Sequence, residues 1–244
     1  MNLDVNLTAW LNQQSQPLLA ARPFVTLSYA QSLDGSIALR VGTKCTISGQ
    51  QAAVLTHQLR SWHDGILVGI GTVLSDDPQL NVRHCLGKNP QPIVLDSHFR
   101  IPPRARLRQN KKKCWVASCR APAFDADLNG VELIHTPHNS EGQVCLPSLL
   151  ASLHAKGIRR LMVEGGAEVI RAFLRAKLVD AVIITISPTY LGGYKSLNNL
   201  DLPAEQLPKI APLHSQCLGS DIIVWGAAHF AEESIQNSLR VALQ

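Results

Sequence analysis

Two short stretches carry residue types that suit the holding of a ligand. The first, Gly69-Ile70-Gly71-Thr72-Val73-Leu74-Ser75-Asp76-Asp77-Pro78, follows the apolar run DGILV at 64–68. Glycines let another molecule approach the backbone, and Thr72 and Asp76 offer polar groups at a strand end, where α/β proteins hold ligands. Thr72 and Asp76 share a face if the segment is a helical turn. Asp77-Pro78 could also simply end that turn, and spacing leaves both readings open. Beyond it, Arg83 suits a forked grip on a phosphate or an ordinary surface charge. The second stretch is Glu164-Gly165-Gly166-Ala167-Glu168. Backbone N–H groups bared by glycine at the positive end of a helix favour a phosphate. A tight βα turn uses the same glycines, so this stretch is ambiguous too. The GxGxxG fingerprint, the GxSxG elbow, the P-loop and HExxH are all absent. Ser32-Leu33-Asp34-Gly35-Ser36 reads as a turn.

These positions need elements to carry them. β-branched and aromatic residues make 24–30 (FVTLSYA) a strand. Ser48-Gly49-Gln50-Gln51 reads as a capping box opening the helix AAVLTHQLRSW. The apolar runs ILVGIG (66–71), PIVLD (92–96), CWVAS (114–118) and VELIHT (131–136) continue a strand series. A helix over 146–156 stops at Gly157. The stretch 159–187 then reads strand, glycine turn, helix, strand: a right-handed β-α-β unit. DIIVWG at 221–226 is a late strand. One α/β domain around a central sheet follows, with the first twenty residues and those after about 228 peripheral.

Composition bounds the function. With 244 residues, 45% of them hydrophobic and 5% aromatic, the core is large and aliphatic. No apolar run approaches the roughly 18–20 residues of a membrane span. The N-terminus lacks the pattern of a signal peptide, so a cytoplasmic protein is expected. The six cysteines are scattered and read as free thiols. His135 and His138 are the nearest histidine pair, and no metal site is expected. A net charge of +5 suits an anionic small molecule as well as nucleic acid. The basic run from Arg100 to Lys113 contains two prolines and no aromatic, and reads as a solvated loop rather than a nucleic-acid groove.

At these residues the chain resembles a known family. FVTLSYAQSLDGSIA (24–38), TISGQQAAVLTHQLRSWHDGILVGIGTVLSDDPQLNVR (46–83), PIVLDSHFRIPPRARL (92–107) and VEGGAEVI (163–170) are similar to the pyrimidine reductases of riboflavin biosynthesis. This is the family of the reductase half of bacterial bifunctional RibD and of stand-alone archaeal and fungal enzymes. The likeness runs from about Arg22 to Gly226. It implies a dihydrofolate-reductase-like α/β domain over 22–227 with a largely parallel, mixed central sheet flanked by helices. An N-terminal extension (1–21) and a C-terminal tail (228–244) lie outside it. It also implies NADPH as cofactor, a phosphorylated pyrimidine as substrate and a homodimer, with no role for nucleic acid or membrane.

The resemblance implies site residues as well. Ala30, Thr46, Thr72, Asp76 and Ser97 match cofactor contacts, as do Gly165, Gly166, Ala167, Glu168, Val169 and Ile170 around the phosphate-binding turn. Lys44, Arg60, Leu80, Arg83 and Glu164 match substrate positions, the arginines suiting the 5′-phosphate. Glu164 is the candidate for arranging proton transfer to the opening sugar, and Asp76 the runner-up. Bacterial bifunctional enzymes usually carry lysine where this chain has Ser28, and TLSYAQSLDG is closer to the archaeal and fungal form. That group reduces a diamino-pyrimidinone, and the alternative is the aminouracil. The zinc signature of the deaminase half does not occur.

Overall fold

The computed structural model describes residues 3–15, 21–43, 45–121 and 127–231. In chain order the elements are α1 (Leu3–Ser15), β1 (Phe24–Ser32), β2 (Ser36–Ala38), α2 (Gln50–Trp62), β3 (Gly65–Gly69), α3 (Ile70–Asp76), β4 (Gln91–Leu95), β5 (Cys114–Ser118) and β6 (Val131–His135). They continue with α4 (Leu146–Ala155), β7 (Arg160–Val163), α5 (Ala167–Arg175), β8 (Ala181–Ser187), β9 (Tyr194–Lys195), β10 (Lys209–Ile210), β11 (His214–Leu218) and β12 (Asp221–His229).

Seven parallel strands lie side by side in the order β8-β1-β7-β3-β4-β5-β6. β12 joins β8 antiparallel, and β10 and β11 pair in turn with β12. Apolar runs without alternation, such as Gly65–Gly69 and Pro92–Val94, make strands buried on both faces, which parallel sheets require. One face is covered by α4 and α5, which bury Leu149, Leu150, Leu153, Ile170 and Phe173 against Val25, Leu27, Leu67, Ile93 and Leu161. The other is covered by α1 and α2 over Met162, Ala181, Ile183 and Trp225. Beside them, α3 and the segment after β4 cover Ile66, Val68, Val94 and Val116.

Several sequence readings change. Residues 70–76 form a helix, so β3 ends at Gly69. β7-α5-β8 is parallel as expected, but β1 lies between its two strands. The capping box is not formed. Gly49 is the N-cap of α2, no side chain within that segment caps it, and its N–H instead donates to Asp221 Oδ2 at 2.7 Å. That partner lies 172 residues away, beyond the reach of a local pattern.

α1, within the stretch expected to be peripheral, packs into the core. Leu3, Leu7 and Leu11 are buried, each worth roughly 1.5–3 kcal/mol relative to exposure. Trp62 Nε1 donates to Asn12 Oδ1 at 3.0 Å, Gln58 Nε2 to Asp4 Oδ2 at 3.1 Å, and His214 stacks on Trp225 beside Trp10. All six cysteines are free thiols.

Candidate functional site

Many of the expected residues lie at or just beyond the C-terminal ends of the parallel strands. β1 brings Ala30, β3 leads into Thr72 and Asp76, β4 into Ser97, and β7 into Glu164, Gly165 and Gly166. Parallel register fixes this, because β1, β7, β3 and β4 all end on the same edge.

The two glycine stretches meet there. A Cβ built on Gly165 would lie 2.4 Å from Val169 Cβ, and one on Gly69 would lie 2.8 Å from Val169 Cγ2, so α5 packs directly on both turns. A Cβ on Gly166 would come 3.7 Å from Thr72 Oγ1. Gly69 caps α3 and Gly166 caps α5, neither with a side-chain hydrogen bond. The first N–H groups of a helix have no partner within it, so two sets of donors open onto one rim. Within α5, Ala167, Val169 and Ile170 turn their side chains into the core, and of these three only the backbone can meet a ligand. Glu168 is exposed, with Arg171 Nε at 3.8 Å.

α3 places Thr72 and Asp76 one turn apart. Asp76 Oδ1 accepts from Ser75 Oγ at 2.7 Å. Asp77 has a different task. It caps α3 in a left-handed conformation, φ 43°, and Oδ1 accepts the Arg106 N–H at 2.8 Å. Asp96, fully buried at the end of β4, accepts the N–H groups of Arg100 and Ile101 and folds back the loop that carries Ser97. Burial raises its pKa against those bonds. Ser97 Oγ accepts the Val144 N–H at 3.2 Å.

Glu164 and Arg60 form a bidentate pair, Nε to Oε1 at 2.7 Å and Nη2 to Oε2 at 2.6 Å. Burial works to lower the Arg60 pKa, and the Glu164 charge and hydrogen bonds outweigh it and raise it. Arg60 Nη1 also donates to Asn81 O at 3.1 Å. Leu80 is buried in the core with φ 52°, a left-handed conformation that strains a non-glycine residue. Arg83 is exposed beside them. Burial, then the charges of Arg60 and Arg106, lower its pKa, with Glu164 opposing. Arg60 offsets Glu164, and Arg83, close enough to feel both Arg60 and Arg106, leaves an excess of positive charge that suits a phosphate. Thr46 lies exposed in the loop before α2, and Lys44 lies outside the described residues.

Other charged positions are structural. Asp34 accepts from Ser32, Ser36, the N–H groups of Leu191 and Gly192, and Lys195 Nζ at 2.6 Å. Lys195 first, then Ser32, Leu191 and Ser36, hold its carboxyl well below the usual range. That matches the turn reading, with a distant loop tied to it. Arg108, from the basic run, is buried and donates to the carbonyls of Asp127 and Asn129. In the sequence His57 is one more residue of a helical pattern, yet its Nδ1 accepts the Arg83 N–H at 2.9 Å. Only its place three residues before Arg60 could have singled it out. Among the described residues no three metal-ligating side chains converge, and no helix is long and apolar enough to cross a membrane.

Comparison with known proteins gives this geometry a context. Residues 23–224 match the RibD C-terminal domain. The chain is 36% identical over 185 residues to the 2,5-diamino-6-ribosylamino-4(3H)-pyrimidinone 5′-phosphate reductase of Archaeoglobus fulgidus, covering 72% of this chain and 84% of the relative. The fold superposes on the riboflavin biosynthesis reductase of Saccharomyces cerevisiae with a TM-score of 0.74 at 30% identity, over 93% of this chain and 100% of that one. Dihydrofolate reductase from Enterococcus faecalis matches with a TM-score of 0.50 at 14% identity, over 86% of this chain and 97% of that one, a likeness of fold alone.

Proposed function

The chain belongs to the RibD C-terminal domain family, and on that premise we propose that it reduces 2,5-diamino-6-ribosylamino-4(3H)-pyrimidinone 5′-phosphate to the ribitylamino form with NADPH in riboflavin biosynthesis. The observation that carries this reading is the meeting of two uncapped helix starts, with Thr72 Oγ1 3.7 Å from where a Cβ on Gly166 would lie, beside the Arg60–Glu164 pair. The residues fit a dinucleotide: glycines bare the backbone, free N–H groups suit a diphosphate, and Thr72 and Asp76 stand next to them. When bound, the reduced nicotinamide supplies a hydride.

The chain's own residues supply position and charge. Gly165, Gly166 and the start of α5 hold the diphosphate, Thr72 and Asp76 orient the coenzyme from α3, and Ala30 leaves room at the end of β1. Ser97, with His98 and Arg100 near, receives the 2′-phosphate end. Arg83 and Arg60 take the substrate 5′-phosphate. The ribosylamine must open so that C1′ accepts hydride while the ring oxygen takes a proton and leaves as a hydroxyl. Glu164, with both oxygens engaged by Arg60, suits the holding of the opened sugar and the ordering of its hydroxyls toward a proton source. Fixed placement of C1′ supplies much of the rate. The same reading takes the enzyme as a cytoplasmic homodimer, following the family resemblance.

Steady-state NADPH oxidation with the diamino-pyrimidinone and aminouracil phosphates tests the assignment. A kcat/KM at least tenfold higher for the diamino compound is expected. Preference for the aminouracil overturns the substrate, and inertness toward both overturns the reaction.

A further inference from the structure

We propose that His57 is a positioning residue for substrate binding: its imidazole holds the backbone at Arg83 and so aims the Arg83 guanidinium into the site. The inference rests on the reading of Arg83 as a phosphate ligand given above.

His57 and Arg60 are three residues apart on α2 and share a face. Both reach the strap between α3 and β4. Arg60 Nη1 donates to Asn81 O at 3.1 Å, and His57 Nδ1 accepts the Arg83 N–H at 2.9 Å. Between them, Val82 N–H donates to Asn89 Oδ1 at 2.8 Å. Three successive residues of an exposed strap are therefore pinned by their backbones. The Arg83 guanidinium is steadied in turn by a hydrogen bond from Nη1 to Asn81 Oδ1. A long exposed arginine loses rotamer freedom when it is ordered. A strap fixed beforehand keeps backbone ordering from adding to that cost on binding.

The arrangement dictates the state of the ring. A backbone N–H can only donate, so Nδ1 is bare and the proton sits on Nε2. An imidazolium could not accept this bond. Burial, reinforced by the charges of Arg60, Arg83 and His84, pushes the His57 pKa down to about 4, so the acceptor persists at neutral pH. His84 packs edge-on at 4.4 Å between ring centroids.

His63, on the same helix, shows what a purely structural histidine does. Its Nδ1 donates to Leu59 O at 2.7 Å, and its Nε2 accepts from Thr26 at 2.8 Å. Both partners belong to the core scaffold. The partner of His57 is the backbone of a residue whose side chain faces the site.

The test compares His57→Ala and His57→Asn, the asparagine oxygen replacing Nδ1 as acceptor. Expected for His57→Ala is a KM for the pyrimidine phosphate raised about tenfold, with kcat changed less than threefold and the NADPH KM unmoved. His57→Asn should recover most of that loss. A uniform fall in kcat, a shifted NADPH KM, or a well-folded His57→Asn that fails to rescue overturns the proposal. Two readouts need no turnover. Nitrogen-15 spectra of the wild type should show the Nε2–H tautomer at pH 7, and the opposite tautomer overturns the proposal even if His57→Ala does not fold. The Arg83 Nε–H relaxation should become more mobile in His57→Ala and revert in His57→Asn; equal mobility in all three overturns it. These readouts judge His57 even if wild-type inertness overturns the proposed reaction.

Discussion

At the N-terminal ends of the parallel strands, Asp180 accepts the Val25 N–H at 2.8 Å and both arms of Arg22 at 2.7 Å. Asp64 there accepts the N–H groups of Arg159 and Arg160. His63 closes the same end, bonded on both ring nitrogens. At the C-terminal ends, two helices start uncapped, glycines bare the backbone, Arg83 is exposed and Thr72 is half-buried. Both ends are rich in charge, so composition does not separate them. What separates them is completeness. The polar groups of one end bond mainly to one another, whereas the other leaves helix-start backbone donors uncapped and the Arg83 guanidinium exposed. Groups left ready in this way are stabilised by a ligand rather than by the fold.

Matched substitutions at the two ends can break this contrast. Glu164→Gln, at the open end, removes one charge from the bidentate pair and releases Arg60. Turnover should fall on the order of 10²-fold or more, with NADPH affinity kept. Asp180→Ala, at the closed end, should cost about 2 kcal/mol of stability by stranding Arg22 and the Val25 N–H, with kcat within twofold of wild type. Steady-state kinetics and urea unfolding of both variants check this. Near-normal kcat in Glu164→Gln removes that residue from the chemistry, and a large kcat loss in Asp180→Ala erases the distinction between the ends.

Acidification should weaken the closed end through His63, over the same pH range as His57 at the open end. Burial, with the Arg160 charge adding to it, lowers the His63 pKa from 6.5 to about 4, while the Leu59 carbonyl and Asp64 act the other way. A histidine kept neutral by folding contributes stability above its unfolded pKa, and that contribution is lost as pH falls from about 6.5 toward 4. The loss from this residue between pH 7 and pH 5 should be about 2 kcal/mol. Urea unfolding of the wild type and His63→Gln at both pH values measures it as the difference between their slopes. Equal slopes would mean that His63 is not the group that titrates.

The same contrast explains what could be read in advance. Strand runs such as CWVAS and the helix 167–175 were legible because period and β-branching are local properties. Order in the sheet was not: β1 lies between β7 and β8 through pairings more than a hundred residues apart. Gly49 as a cap depends on Asp221, and the strap at Arg83 depends on His57, so both were invisible to local patterns. The stretches 69–78 and 164–168 were legible as glycine-rich strand ends, and their meeting came only with the fold. The Leu3, Leu7, Leu11 stripe was available at helical spacing, but nothing local said which face it would cover.

The finest discriminator between a built cradle and a merely uncapped turn is Thr72. Its hydroxyl faces Gly166 across the rim, within 3.7 Å of where a Cβ would lie. Thr72→Val keeps the shape and removes only the hydroxyl, so the packing of α3 should survive. One neutral hydrogen bond is worth about 1 kcal/mol, so the KM for NADPH should rise about fivefold. The KM for the pyrimidine phosphate and kcat at saturating NADPH should move less than twofold, because Arg60, Arg83 and Glu164 lie on other elements. An unchanged NADPH KM would mean that the coenzyme passes this rim without using Thr72. A rise in the substrate KM instead would place the sugar-phosphate between α3 and α5, and would exchange the roles of the guanidinium cluster and the glycine rim.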